Sequence, residues 1–218
     1  MDLIKETDNY LKEYRVADVI NKDMDYLFIL ESPHIAEIKE GYPVAGNSGV
    51  EMTKFIYDED SEDAFGKLVN NKDDYKNKYH GLNKSSIMNV VPAPMQASAL
   101  KEYDLSSTEE KIVALLEKLR VNYAAKKHRN PDWNQLKKVL IDNFAHRLDD
   151  ILTQYRPNYL IPCGKLAQTY LEIAITSKEI NFSAEIIDGI PHPSRNQWRQ
   201  YDSMSKLENL LSEEVYSK

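Results

Sequence analysis

The sequence is poor in several things. It holds a single cysteine, Cys163, in 218 residues. That excludes a disulfide framework within the chain, a cysteine-based zinc site and an iron–sulfur cluster. No activating partner for the thiol is evident, so Cys163 reads as a small buried residue. No apolar run approaches the ~20 residues that a bilayer-crossing helix needs. The stretch Met1-Asp2-Leu3-Ile4-Lys5-Glu6 lacks the basic-then-apolar pattern of a secretion signal. The expectation is a cytoplasmic protein that does not engage a membrane. Positive charge is also short: 28 Lys and Arg stand against 35 Asp and Glu, a net charge of −7. Nucleic acid would therefore have to be bound through a local basic track rather than by the whole surface. The clearest such track is Lys126-Lys127-His128-Arg129, with Lys137-Lys138 following. Neither a Gly-x-Ser-x-Gly elbow nor a phosphate-loop motif occurs, and no metal or cofactor is expected.

Glycine is scarce too, and its placement is informative. Three of the seven fall between Gly41 and Gly49. Just before them, Tyr26-Leu27-Phe28-Ile29-Leu30 is apolar without alternation, the pattern of a strand buried on both faces. Pro33 ends it, because proline cannot donate to a ladder and biases Ser32 away from helix. Glu31, Ser32 and His34 thus leave the sheet together at the carboxyl end of a strand, where open α/β sheets bind ligands.

Three further runs read as strands. They are Ser86 to Val91, ended by Pro92, then Asn158 to Cys163, ended by Gly164, and Ala184 to Asp188, running into Gly189. Asn89 is polar inside the first, and either a satisfied core amide or a ligand-facing one fits. After the last comes Pro191-His192-Pro193-Ser194-Arg195-Asn196, where two prolines fix the backbone around His192. Helical periodicity predicts helices over Asp2 to Ile20, from Glu51 to Tyr57, around Phe65 and Leu68, from Lys165 to Thr176 and from Gln197 to Val215. Ser107 with Glu110 forms a capping-box pattern, and Asn130-Pro131 opens a long helix through Trp133 and Ile151. These two form a helical insertion around residues 105–155. Asn70 to Lys84 reads as an exposed loop. Strands alternating with helices predict one α/β domain over residues 1–218, three layers deep, around a four-stranded parallel sheet. Glu31 to His34, Asn89, Gly164 and His192 to Asn196 would then gather at one sheet edge.

These residues resemble the uracil-DNA glycosylase superfamily. Leu30-Glu31-Ser32-Pro33-His34 stands where the family has a strand followed by Gly-Gln-Asp-Pro-Tyr-His or Gly-Glu-Ala-Pro-Gly. Pro43-Val44-Ala45-Gly46-Asn47-Ser48-Gly49, with Met52 beyond it, is similar to Pro-Phe-Val-Gly-x-Ala-Gly and its helix. Ile87-Met88-Asn89-Val90-Val91 resembles the strand ending in Asn, and Ile161-Pro162-Cys163-Gly164-Lys165-Leu166-Ala167 the strand–Gly–helix step. His192-Pro193-Ser194 matches the closing His-Pro-Ser. The matches run in family order from Tyr26 to Asn196.

The resemblance implies a pocket for a base flipped out of DNA. It implies that Asn89 reads the base edge and that Ser32, Pro33, His34 and Val44 help to enclose it. His192 would donate to a pyrimidine oxygen as charge develops there. Glu31 would orient water or stabilise a cationic sugar, with Glu31 and His192 as the catalytic pair. Gly164, Lys165, Ser194, Arg195 and Asn196 would meet the DNA backbone. The implied activity is hydrolysis of the N-glycosidic bond of a deaminated or damaged base, uracil first. There are departures: Ser32 where one branch has aspartate, Val44 where an aromatic ring stacks on the base, Leu30 for the opening glycine, no cluster cysteines and no leucine wedge. They define the alternative, a non-catalytic member of the fold binding nucleotide, nucleic acid or a protein. A different small-ligand hydrolase using Glu31 and His192 is a third reading.

Overall fold

The computed structural model describes residues 2–58, 60–194 and 198–214. In chain order the elements are α1 (Leu3–Glu13), β1 (Tyr26–Leu30), α2 (Ile35–Glu40), α3 (Asn47–Ile56), α4 (Phe65–Asn70), α5 (Lys72–Tyr75), β2 (Ser85–Asn89), α6 (Ser107–Val121), α7 (Pro131–Tyr155), β3 (Tyr159–Pro162), α8 (Lys165–Lys178), β4 (Glu185–Ile186) and α9 (Met204–Glu214). The four strands form one parallel sheet in the order β2-β1-β3-β4. Every residue of β1 is buried, as its unbroken apolar character requires of a central strand, and every residue of the edge strand β2 is buried too, with Val19 bridging to Ile87 along its outer side.

The two faces of β1 divide the core, because successive side chains of a strand point to opposite sides. Leu27 and Ile29 join a cluster with Tyr10, Leu116, Phe144 and Tyr170, from α1, α6, α7 and α8. Tyr26, Phe28 and Leu30 join Met52, Phe65 and Leu207, from α3, α4 and α9. The sheet is therefore the middle of three layers. Helices α6 and α7 lie on one side of it and supply much of the first cluster. No described helix is long and apolar enough to cross a membrane.

Four local expectations are corrected. The first helix stops at Glu13 rather than Ile20. Val16 instead donates to the Pro92 carbonyl at 2.8 Å, and Val19 pairs antiparallel with Ile87. The β-branched residues of that stretch suit the extended backbone it adopts. Residues 70–84 are no open loop: Tyr79 and Leu82 are buried, and the Tyr79 hydroxyl bonds Ser61 at 2.9 Å. The capping box belongs to Ser106 and Glu109, one residue earlier than expected. The last helix begins at Met204, because Trp198 is drawn into the core, its Nε1 donating to the Pro191 carbonyl at 2.8 Å.

The register places the chemistry. Leu30 lies opposite Asn89, so the carboxyl ends of β1 and β2 are level. The ladder runs on past both, Val90 N donating to Leu30 O and Val91 N to Glu31 O.

Candidate functional site

A cleft of about 450 Å³ opens at this sheet edge and is lined by residues from β1, β2, α2, α3, α6 and the loop after β4. Its volume suits a ligand of nucleobase or nucleoside size.

The floor comes from the carboxyl ends of β1 and β2. Asn89 is 1% exposed, and neither amide atom has a hydrogen-bond partner among the described residues. The Ser32 hydroxyl is likewise buried and unpartnered. Buried polar atoms are nearly always satisfied, so two such groups lining one cleft mark it as unfinished without a ligand.

One wall is built by α2 and the loop before α3. The Glu37 carboxylate accepts from the backbone N–H of His34 and of Val44, both at 2.8 Å. It thereby ties the turn after β1 to the glycine-containing loop. Burial pushes the Glu37 carboxyl up, while these two N–H groups and the nearby Asn89 amide oppose the shift. The amide influences Glu37 without reaching hydrogen-bond geometry. Val44 has φ +46°, a strained conformation for a β-branched residue. Neighbouring glycines make room for it: a Cβ on Gly49 would lie 1.8 Å from the Val44 carbonyl oxygen, and one on Gly66 would lie 1.9 Å from that of Pro43.

The opposite wall holds His192. Gly164, at φ +95°, passes beneath it, and a Cβ there would stand 3.0 Å from the His192 Cβ. Gly164 N and Gln168 Nε2 both donate to the Ile190 carbonyl, at 2.9 and 3.0 Å, and Trp198 holds the next one, so the loop entering His192 is pinned. Burial pushes the imidazole pKa down, Glu31 pulls it up, and Arg120 adds to the lowering. The ring is thus disposed to be neutral near pH 7, with one N–H to give.

Arg120 is the largest addition to the expected set. It reaches in from α6, and its Nε donates to the Glu31 carboxylate in an ion pair. Its side chain remains 36% exposed, against 17% for Glu31. No local signal links two residues 89 positions apart. Glu37 did carry one, since His34-x-x-Glu37 has capping-box spacing and the structure forms that box.

Of the expected residues, Glu31, Ser32, His34, Val44, Asn89, His192 and Ser194 line the cleft together. Pro33 is buried behind them and Gly164 lies under His192. Lys165 is exposed at the start of α8 and is not part of the lining. Arg195 and Asn196 lie outside the described residues. The basic track does not reach this cleft: Lys126 lines a different cavity and His128 is buried. Arg199 points elsewhere, donating to the Lys54 carbonyl at 2.8 Å. Cys163 is buried, which pushes its thiol pKa up and makes a poor nucleophile.

Comparison of the chain with protein-family models and with curated proteins gives no match.

Proposed function

We propose that the protein is a DNA glycosylase-like hydrolase that cleaves the N-glycosidic bond of an extruded, deaminated or damaged base, uracil first. The observation that carries this reading is the unpartnered Asn89 amide in the cleft floor, which lies in the same lining as His192. A primary amide offers one donor and one acceptor side by side, which matches the N–H and carbonyl of an imide base edge. An amide buried without partners is tolerable if a ligand supplies them.

In this reading the bond between C1′ and the base nitrogen breaks, and its electron pair leaves with the base. The neutral His192 donates its N–H to a base oxygen on which negative charge collects, the place where a fixed donor lowers the barrier most. Glu31 faces the sugar, which gains positive charge before the oxygen of water adds to C1′, and the proton that the water loses ends on the departed base anion. Val44 takes the place of a stacking ring, so the base is held by its edge more than by its face.

The ion pair between Arg120 and Glu31 favours the second reading, a non-catalytic site for nucleotide or nucleic acid. A guanidinium bound to that carboxylate offsets the negative charge that a cationic sugar would need, and it offers donors to a ligand anion.

Single-turnover cleavage of oligonucleotides containing uracil, hypoxanthine or xanthine separates the two. The hydrolase reading expects cleavage of at least one, with His192→Ala slower by ~100- to 1000-fold and strand affinity nearly unchanged, because differential stabilisation acts on the chemical step alone. Equal rates for wild type and His192→Ala on every base would leave the binding site as the function.

A further inference from the structure

A cavity larger than the cleft lies between α7 and α8, with a volume of about 820 Å³. Four lysines line it, Lys126, Lys137, Lys138 and Lys178, against two carboxylates, Asp142 and Glu172. This balance is the reverse of that of the whole chain, whose net charge is −7. Asp142 is shared, pairing with both Lys138 and Lys178, so one carboxylate offsets two ammonium groups. Lys126 has no ion pair among the described residues. Lys137 has a different part. Its Nζ donates to the carbonyls of Tyr123 and Ala125 at 3.0 and 2.7 Å and stands 5.5 Å over the Tyr170 ring. It fastens the turn between α6 and α7.

That turn connects the cavity to the cleft. Its first end carries Arg120, in the cleft, and Val121, the most exposed large apolar residue described, at 72%. Its continuation carries Ala124 and Lys126, in the cavity wall. The other wall starts at the cleft as well: Gly164 abuts His192, Lys165 is exposed beside it, and Thr169, one helical turn on, lines the cavity. Cleft and cavity are thus joined along the chain by two segments, residues 120–126 and 164–169. No aromatic side chain lines the cavity among the described residues, so it offers nothing for bases to stack on; its wall presents the lysines, the hydroxyls of Thr169, Thr176 and Ser177 and the Asn134 amide beside the aliphatic Ile141 and Ile173.

We propose that this groove carries the phosphate backbone of a single DNA strand leaving the cleft, an inference that rests on the cleft being a base pocket. Its recognition would be independent of sequence, since phosphate contacts position a strand without reading it.

The test is fluorescence anisotropy of a labelled, uracil-free thymidine oligonucleotide of about 16 nucleotides, the upper size of a single-strand site. It is measured across a salt series for wild type, for the pair Lys126→Glu with Lys138→Glu, and for the milder pair Lys126→Gln with Lys138→Gln. Both side chains are exposed, so folding is not at stake, and a thermal melt checks this. Affinity at low salt should fall about tenfold or more for the charge-reversed pair, and the slope of log affinity against log salt should shrink by roughly 0.7 for each phosphate that the variant no longer neutralises. The Gln pair should fall in between. Unchanged affinity and slope in both pairs, or no binding by wild type at low salt, overturns the groove. Cleavage of a uracil strand by wild type, run alongside, separates this from the cleft reading. Cleavage with unchanged binding in the variants removes the groove and keeps the pocket. Salt-dependent binding that disappears in the variants, without cleavage of any base, keeps the groove and removes the hydrolase.

Discussion

The backbone and the side chain of Asn89 sit in opposite environments. On the backbone side, Arg147 of α7 makes five hydrogen bonds: Nε to Asn143, one terminal nitrogen to both oxygens of Asp18 at 3.0 and 2.8 Å, and the other to the carbonyls of Asn89 and Val90 at 2.8 and 2.7 Å. Every donor of the guanidinium is used. On the side-chain side, facing the cleft, the amide of the same residue lies near the Glu37 carboxylate but makes no hydrogen bond among the described residues. The saturated network holds the strand end in place, and the unsatisfied group is presented by it. A molecule that can complete five bonds around one arginine has not left an adjacent amide bare for lack of polar partners. The contrast separates what the fold needs from what a ligand is expected to bring.

The largest effect should come from breaking the saturated side. Arg147→Ala leaves the Asp18 carboxylate, which is 10% exposed, without its partner and frees two strand-end carbonyls. Removing one member of a buried ion pair typically costs ~3–5 kcal/mol. Chemical denaturation should show a loss in that range. Arg147→Lys, which keeps the charge but not the fork, should lose part of it. A loss below about 1 kcal/mol, the scale of an exposed pair, would mean that the network is not what holds the strand end.

Next comes Gly164→Ala. The new Cβ would meet the His192 Cβ at 3.0 Å, and φ is +95°. Backbone in that region, with ψ at +157°, is essentially reserved for glycine and costs an L-residue ~1–3 kcal/mol, so the melting temperature should drop by several degrees. Ligand affinity or cleavage should fall further than stability does, because the displaced group is His192 itself. If activity and stability fall in proportion, the loop is merely packed against the sheet and does not aim the imidazole.

How much of this can be read from sequence follows the range of the interactions. The span Tyr26–Leu30 is legible to the residue, because an unbroken apolar run with a proline just past it has few alternatives. The parallel sheet follows from strands alternating with helices, and the gathering of Glu31, Asn89 and His192 follows from the parallel sheet. Val16 to Ile20 imitates a helix in sequence because its fate depends on Pro92 and Ile87, more than 65 residues away along the chain. Arg120 and Arg147 are invisible for the same reason: each is an ordinary polar residue on an amphipathic helix until the helix docks. The expected basic track draws on residues that the structure turns away from the cleft, with Lys126 in the wall of the α7–α8 groove and His128 buried.

The unsatisfied side should respond with the opposite sign. Asn89→Leu keeps the approximate volume and removes two polar atoms that make no hydrogen bond among the described residues. A buried unsatisfied group carries a penalty of ~1–3 kcal/mol, so stability should hold or rise by about 1 kcal/mol, while base binding and any cleavage disappear. A destabilised Asn89→Leu would show that the amide is satisfied by bound water, and the cleft would lose its strongest claim to a ligand.

The smallest effect is the pH dependence set by His192. Burial pushes its pKa down, Arg120 pushes the same way, and Glu31 resists. An unfolded chain takes up the proton near ~6.5, whereas the folded protein takes it up at lower pH. Between those two values the unfolded state binds more protons, so stability falls as pH falls. Above ~6.5 both states are neutral at this residue and it contributes nothing. His192→Asn should therefore flatten the stability profile only below that pH. Proton NMR of the imidazole gives the titration directly. Arg120→Gln should move it up towards the ordinary value, and Glu31→Gln should move it further down. If cleavage depends on the neutral ring, its acid limb should move with the NMR titration in both variants. An acid limb that stays fixed while the imidazole titration moves would show that the group limiting the reaction in acid is not His192.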